Sequence, residues 1–176
     1  MKKWTIVAGI VIVAALVFWL YIKLGGLEKV QLQYIQSPTA FLLAGEKYEG
    51  GYHSTEVEQI FVRARTLMEE GVLDGPLAVV NYGPDEKAQK IEQFIGVLVS
   101  SKQELPEGWS FLELAPENVV QATITAHNLV MPGPDEVREM AEETASREGG
   151  ALLGYTIEIY KSERELVIVF PVEKSK

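Results

Sequence analysis

Apolar and polar residues alternate along this chain with three distinct periods. From Trp4 to Ile22 no residue is charged and Val, Ile, Ala and Leu dominate. At about 1.5 Å per residue such a helix crosses a roughly 30 Å hydrocarbon layer, with Trp4 at one interface and Trp19 and Tyr21 at the other. An uncleaved transmembrane anchor over residues 1–26 is therefore expected, because the bulky Phe18-Trp19-Leu20-Tyr21 stretch leaves no small-x-small cleavage site. Gly25-Gly26 then separates it from a domain at 27–176.

Beyond that break the periods are shorter. Val30 to Ala44 reads as extended and is interrupted by Pro38, and Gly45, Gly50 and Gly51 signal loop. Val57, Ile60, Phe61, Ala64, Leu67 and Met68 form one helical stripe, opened by a capping box at Thr55–Glu58 and closed by Gly71. Pro76 to Tyr82 and Ile91 to Val99 follow as strands around the turn-rich GPDEKAQK. The order then recurs. Trp109 to Leu112 and Val119 to Ala126 are extended, a helix runs from about Pro134 to Glu148, and Leu152 to Tyr160 and Glu165 to Val172 form a hairpin.

VVNYG at 79–83 aligns with IEIYK at 157–161, which sets Tyr82 against Tyr160 and Val80 against Glu158. The predicted fold class is α+β: duplicated strand-helix-strand-strand units forming an antiparallel sheet with two helices on one face, preceded by one transmembrane helix. Sorting the last hairpin by its period of two puts Tyr155, Ile157 and Ile159 on the apolar face, expected under the helices. Thr156, Glu158 and Tyr160 share the other face.

Glu158 lies in the middle of an otherwise interior-like strand. A carboxylate there is costly unless paired, hydrogen-bonded or protonated. Three roles stay open from the residues alone: contact with a cationic or hydrogen-bond-donating ligand, general acid or base chemistry, or a structural acid satisfied by a backbone amide, Lys161 or Arg164.

Charge sharpens the partner class. Of the 16 basic residues, Lys2, Lys3 and Lys23 precede residue 27, as do none of the 25 acidic ones; 13 basic against 25 acidic residues leave 27–176 at −12. Nucleic acid is not an expected partner, since it rewards clustered Lys and Arg. The membrane is expected as a partner only through residues 4–22. Lys2 and Lys3 favour a single-pass orientation with the domain outside the cytoplasm. There is no cysteine, and His53 and His127 are far apart in sequence, so neither a disulfide nor a metal site is expected, nor any cofactor. No Ser-His-Asp or Cys-His constellation is evident.

GGY at 50–52, GVLDGPLAVVNYGPDE at 71–86, TIEIY at 156–160 and the terminal FPV at 170–172 together resemble the GyrI-like small-molecule-binding domains, over about residues 29–173. These domains also serve as effector domains of multidrug-sensing regulators. The resemblance implies a ligand cleft at a pseudo-two-fold axis, with Glu158 as its acid, Tyr160 and Tyr82 beside it and Tyr52 at the rim. It further implies a small, cationic or amphipathic ligand. A hydrolase using Glu158 and a tyrosine is the alternative, and a membrane-proximal protein-interaction platform the third reading.

Overall fold

The computed structural model describes residues 2–51, 54–85, 90–127 and 129–174, and for residues 2–11, 84 and 85 the backbone only. Within them the chain forms helices α1 (Lys2–Lys23), α2 (Thr55–Glu69) and α3 (Pro134–Arg147). The strands are β1 (Gln31–Gln36), β2 (Phe41–Gly51), β3 (Leu77–Asp85), β4 (Lys90–Leu98), β5 (Ser110–Leu114), β6 (Asn118–Thr125), β7 (Gly150–Leu152), β8 (Thr156–Ser162) and β9 (Glu165–Lys174). All pair antiparallel in one sheet of order β1-β6-β9-β8-β3-β4-β2-β5, with β7 added to β9.

That order is a palindrome of two units, β2-α2-β3-β4 and β6-α3-β8-β9, which meet where β3 pairs β8. The outer strands are exchanged. β1 precedes the first unit in the chain but pairs with β6 of the second, while β5 precedes the second but pairs with β2 of the first. Neither unit completes its sheet alone, so the halves form one domain.

The membrane part of the expected fold class needs correction. Among the described residues no helix is long and apolar enough to cross a membrane. The transmembrane helix, the membrane partner through residues 4–22 and the single-pass, extracytoplasmic localisation are accordingly withdrawn. The C-terminal end of α1 leads onto the domain: the Leu24 carbonyl accepts a hydrogen bond from the His127 amide at 2.9 Å.

The sequence signals for α2 act one residue earlier than read. Ser54 is the N-cap, its hydroxyl accepting from the Glu56 amide at 3.1 Å, and Gly71 at φ +70° follows the last turn. Ile60 packs with Tyr48, Val79 and Ile95, and Ala64 with Ala44 and Val97. On the second unit Val137, Ala141 and Ala145 of α3 cover Val120, Ala122, Ile168 and Phe170. The two helices thus lie on one side of the sheet, each over its own half.

The other side is just as dry. Val80, Phe94, Ile157, Ile159, Val167 and Val169 form a cluster joined by Ile35 of β1 and by Leu112 and Leu114 of β5. Residues from both sheet edges meet there, so the sheet curls around its own second core. Ile157 and Ile159, expected under the helices, belong to this inner cluster, and Glu158 is on the helix side instead. Polarity could not separate the two faces because both are apolar. Nor did the repeat alignment help: β3 and β8 pair Val79, not Val80, with Glu158, and a slip of one residue exchanges the faces.

Gly45, read as a loop signal, sits inside β2 opposite Gly96 of β4. A Cβ at Gly45 would run into the Ile95 carbonyl, and one at Gly96 into the Ala44 carbonyl. The glycines therefore permit a close backbone approach within the sheet, as glycines inside strands often do.

Candidate functional site between the two helices

Glu158 occupies the junction of the two units. Its strand neighbours on the helix side are Val79 across β3 and Ile168 across β9. Val79 belongs to the core under α2 and Ile168 to the core under α3, so the carboxylate stands in the seam between the helices.

Its two oxygens have different partners. Asn81 Nδ2 donates to Oε1 at 2.8 Å, and the Tyr160 hydroxyl donates to Oε2 at 2.6 Å. Behind Asn81 stands Gln93, whose Nε2 donates to Asn81 Oδ1 at 2.6 Å. The carboxylate sets the polarity of this chain. Because Glu158 Oε1 accepts, Asn81 turns its nitrogen toward it and its oxygen toward Gln93, which in turn donates. Gln93 Oε1 is left buried without a partner.

Both donors to Glu158 are neutral. Among the described residues no ion pair reaches it: Lys161, considered above as a partner, pairs with Glu165 at 3.4 Å, and the backbone amide of Arg164 caps Ser162. Burial, and then the charge of Glu158 and the hydrogen bond to it, push the Tyr160 phenol well above the usual tyrosine range. Although Tyr160 as a whole is 37% exposed, its hydroxyl remains a proton donor.

Two clefts open on either side of this pair. One of about 280 Å³ is lined by Asn81, Gly83, Gln93, Thr156, Glu158 and, from α3, Arg138. The other, of about 480 Å³, is lined by Arg65 and Met68 of α2, by Leu77 and Tyr160, and by His127, Ser162 and Glu163. Glu158 faces the first and Tyr160 the second. The hydrogen bond between them links the two clefts' linings.

Of the residues singled out in the sequence, the structure brings Glu158 and Tyr160 together. Tyr82 is elsewhere: it packs on the inner cluster beside Tyr155, with ring centroids 6.1 Å apart, and burial raises the pKa of both phenols. Tyr52 and His53 lie outside the described residues. Asn81 and Gln93 were not singled out. Their signal was present, since each breaks an apolar strand run, and they are direct partners across β3 and β4.

The sequence matches no family model and no curated protein. Solved structures do superpose on it. A hydrolase encoded by lin2189 from Listeria innocua aligns with a TM-score of 0.55 at 12% identity, over 82% of this chain and 93% of that one. An integron cassette protein from the mobile metagenome of Vibrio cholerae gives 0.53 at 11% identity, over 83% and 97%. EcmrR, in a complex with DNA, gives 0.58 at 14%, over 98% of this chain and 70% of that one. Identities this low establish the fold alone.

Proposed function

We propose that this chain binds a small molecule in the groove between α2 and α3, with Glu158 as the anchor for a cationic or hydrogen-bond-donating group. One observation carries the reading: a half-buried carboxylate at the seam of the two units is held only by neutral donors and borders an open cleft. Burying such a charge without a direct counter-ion is unfavourable; Arg138, which lines the same cleft, is paired with Glu142 at 3.8 Å, and a ligand cation supplies the direct contact. At about 4 Å and an effective dielectric of about 20 the attraction is on the order of 4 kcal/mol before desolvation. Tyr160 adds an aromatic wall, worth about 0.5–2 kcal/mol toward a cation over its face. The domain charge of −12 draws cations toward the groove.

A thermal-shift screen of the full chain against organic cations tests this, with Glu158→Gln as the paired variant. Binding at 100 times Kd stabilises by about 2.7 kcal/mol. A hit whose shift disappears in Glu158→Gln supports the reading. Hits that survive the substitution unchanged contradict it.

A hydrolase is the second reading, favoured by the Tyr160–Glu158 contact, which pairs a neutral proton donor with a carboxylate. A similarly folded structure is described as a hydrolase. Turnover lost in Glu158→Gln while binding persists would select this version.

A further inference from the structure

We infer that Arg138 is the specificity-determining residue of the Glu158 cleft and restricts its ligand to a single positive charge. This deepens the proposed function and rests on it for the contact with Glu158.

Three charged side chains line this cleft of about 280 Å³: Glu158 from β8, Glu92 from β4 and Arg138 from α3. They differ in what already balances them. Glu92 is paired with Lys47 at 2.8 Å. Arg138 reaches Glu142, one turn further along α3, at 3.8 Å. Glu158 holds only Asn81 and Tyr160, both neutral. Among the described residues the lining thus has one carboxylate without a counter-ion, and one positive charge on the ligand completes the balance.

The packing of α3 fixes where Arg138 stands. Val137 and Ala141 are buried against the sheet, and Arg138 and Glu142 follow them at the border of that stripe. Their ion pair is exposed on both sides, so solvent weakens it and the guanidinium stays positive toward the cleft. A second positive charge on a compact ligand finds no further unbalanced acid in the lining. It meets instead the field of Arg138, which salt screens only over a Debye length of about 8 Å. Without Arg138 the balance reverses, because Glu142 loses its partner and the domain charge of −12 favours each added cation.

Isothermal titration of the full chain with two compact amines tests this: benzylamine, with one positive charge at pH 7, and p-xylylenediamine, which carries a second across the same ring. In wild type the diamine should bind at most about twofold more tightly, the statistical factor of its two equivalent ends. In Arg138→Gln that advantage should rise to about fivefold or more. Arg138→Lys keeps the charge and should keep the wild-type ratio. Arg147→Gln removes the same charge from α3 outside the cleft lining and should also leave the ratio unchanged. Arg138→Met provides a second variant should Arg138→Gln lose its fold. An equal ratio in wild type and Arg138→Gln, or a rise in Arg147→Gln as large as that in Arg138→Gln, overturns the role of Arg138 and leaves the Glu158 reading intact. Benzylamine affinity unchanged in Glu158→Gln, with a ratio that still depends on Arg138, would instead retain this role and count against Glu158 as anchor. Failure of both amines to bind wild type and Arg138→Gln overturns the inference.

Discussion

Val79 and Glu158 are direct partners across β3 and β8, the pair at which the two halves of the domain meet. Val79 pairs in turn with Ile95 on β4 and Glu158 with Ile168 on β9, so a rotation about the central pair exchanges the halves. The equivalent positions carry a valine in one half and an acid in the other. A duplicated fold thereby acquires one carboxylate at its axis, between two helices that each cover only their own side.

Val79→Glu would set a second carboxylate against the first on a covered face. Like charges directly opposite are destabilising, and more so when partly buried. Urea unfolding should show a loss of about 3 kcal/mol or more at pH 7, with part recovered at pH 4 as a carboxylate protonates. Unchanged stability at pH 7 would mean that the two side chains do not share a face.

Asn81→Ala removes the donor to Glu158 Oε1 and the acceptor for Gln93 Nε2 together. Leaving buried polar atoms unpaired costs about 1–3 kcal/mol. In a double-mutant cycle with Glu158→Gln the effects should be non-additive, because the residues are members of one chain of hydrogen bonds. Strict additivity would break that chain as an account.

Tyr160 gives a pH prediction of definite sign. Its folded-state pKa lies above the unfolded value of about 10, so folding favours the protonated phenol. The contribution is fully present below pH 10 and is lost as pH rises above it. Tyr160→Phe should therefore flatten the alkaline fall in stability measured by urea unfolding between pH 9 and 11.5. Tyr82 and Tyr155 are raised as well, and they keep some of the slope in the variant. An identical slope in wild type and Tyr160→Phe would contradict the contact with Glu158.

Gly45→Ala brings a methyl group against the Ile95 carbonyl. The β2–β4 ladder must shift to admit it, and strain of this kind in a packed sheet costs about 1–3 kcal/mol. Gly51→Ala is the control, since a Cβ there meets nothing within 4 Å. The two midpoints in urea should separate clearly.

Local signals in the sequence were strong where a single element decides them. The stripe from Val57 to Met68 with Gly71 after it marks α2, and Pro134 with Gly149 brackets α3, because caps and a 3.6-residue period act within one helix. What depended on the sheet's curvature was not legible. Ile157 and Glu158 alternate as any strand does, yet which of them meets the helices follows from β1 and β5 curling to bury the inner face. The same holds for Gly45, whose loop-like identity reflects a close approach to Gly96 from a strand about fifty residues away. Glu158 and Tyr160 could be paired from their i, i+2 spacing, whereas Asn81 and Gln93 enter only through strand register. Tyr82 was drawn toward the site by an alignment one residue out of step, and the apolar run in α1 was read as a membrane span, which no described helix supports.

The most direct measurement is the affinity of the full chain for its best organic cation from the screen, determined by calorimetry for wild type and Glu158→Gln side by side. The substitution keeps the size of the side chain and, with its oxygen toward Asn81, its capacity to accept there; it removes the charge and turns the Tyr160 contact from accepting to donating. A carboxylate that anchors the ligand predicts binding at least about tenfold weaker in the variant, with an unfolding midpoint close to wild type. Equal affinities in the two proteins would contradict the central claim.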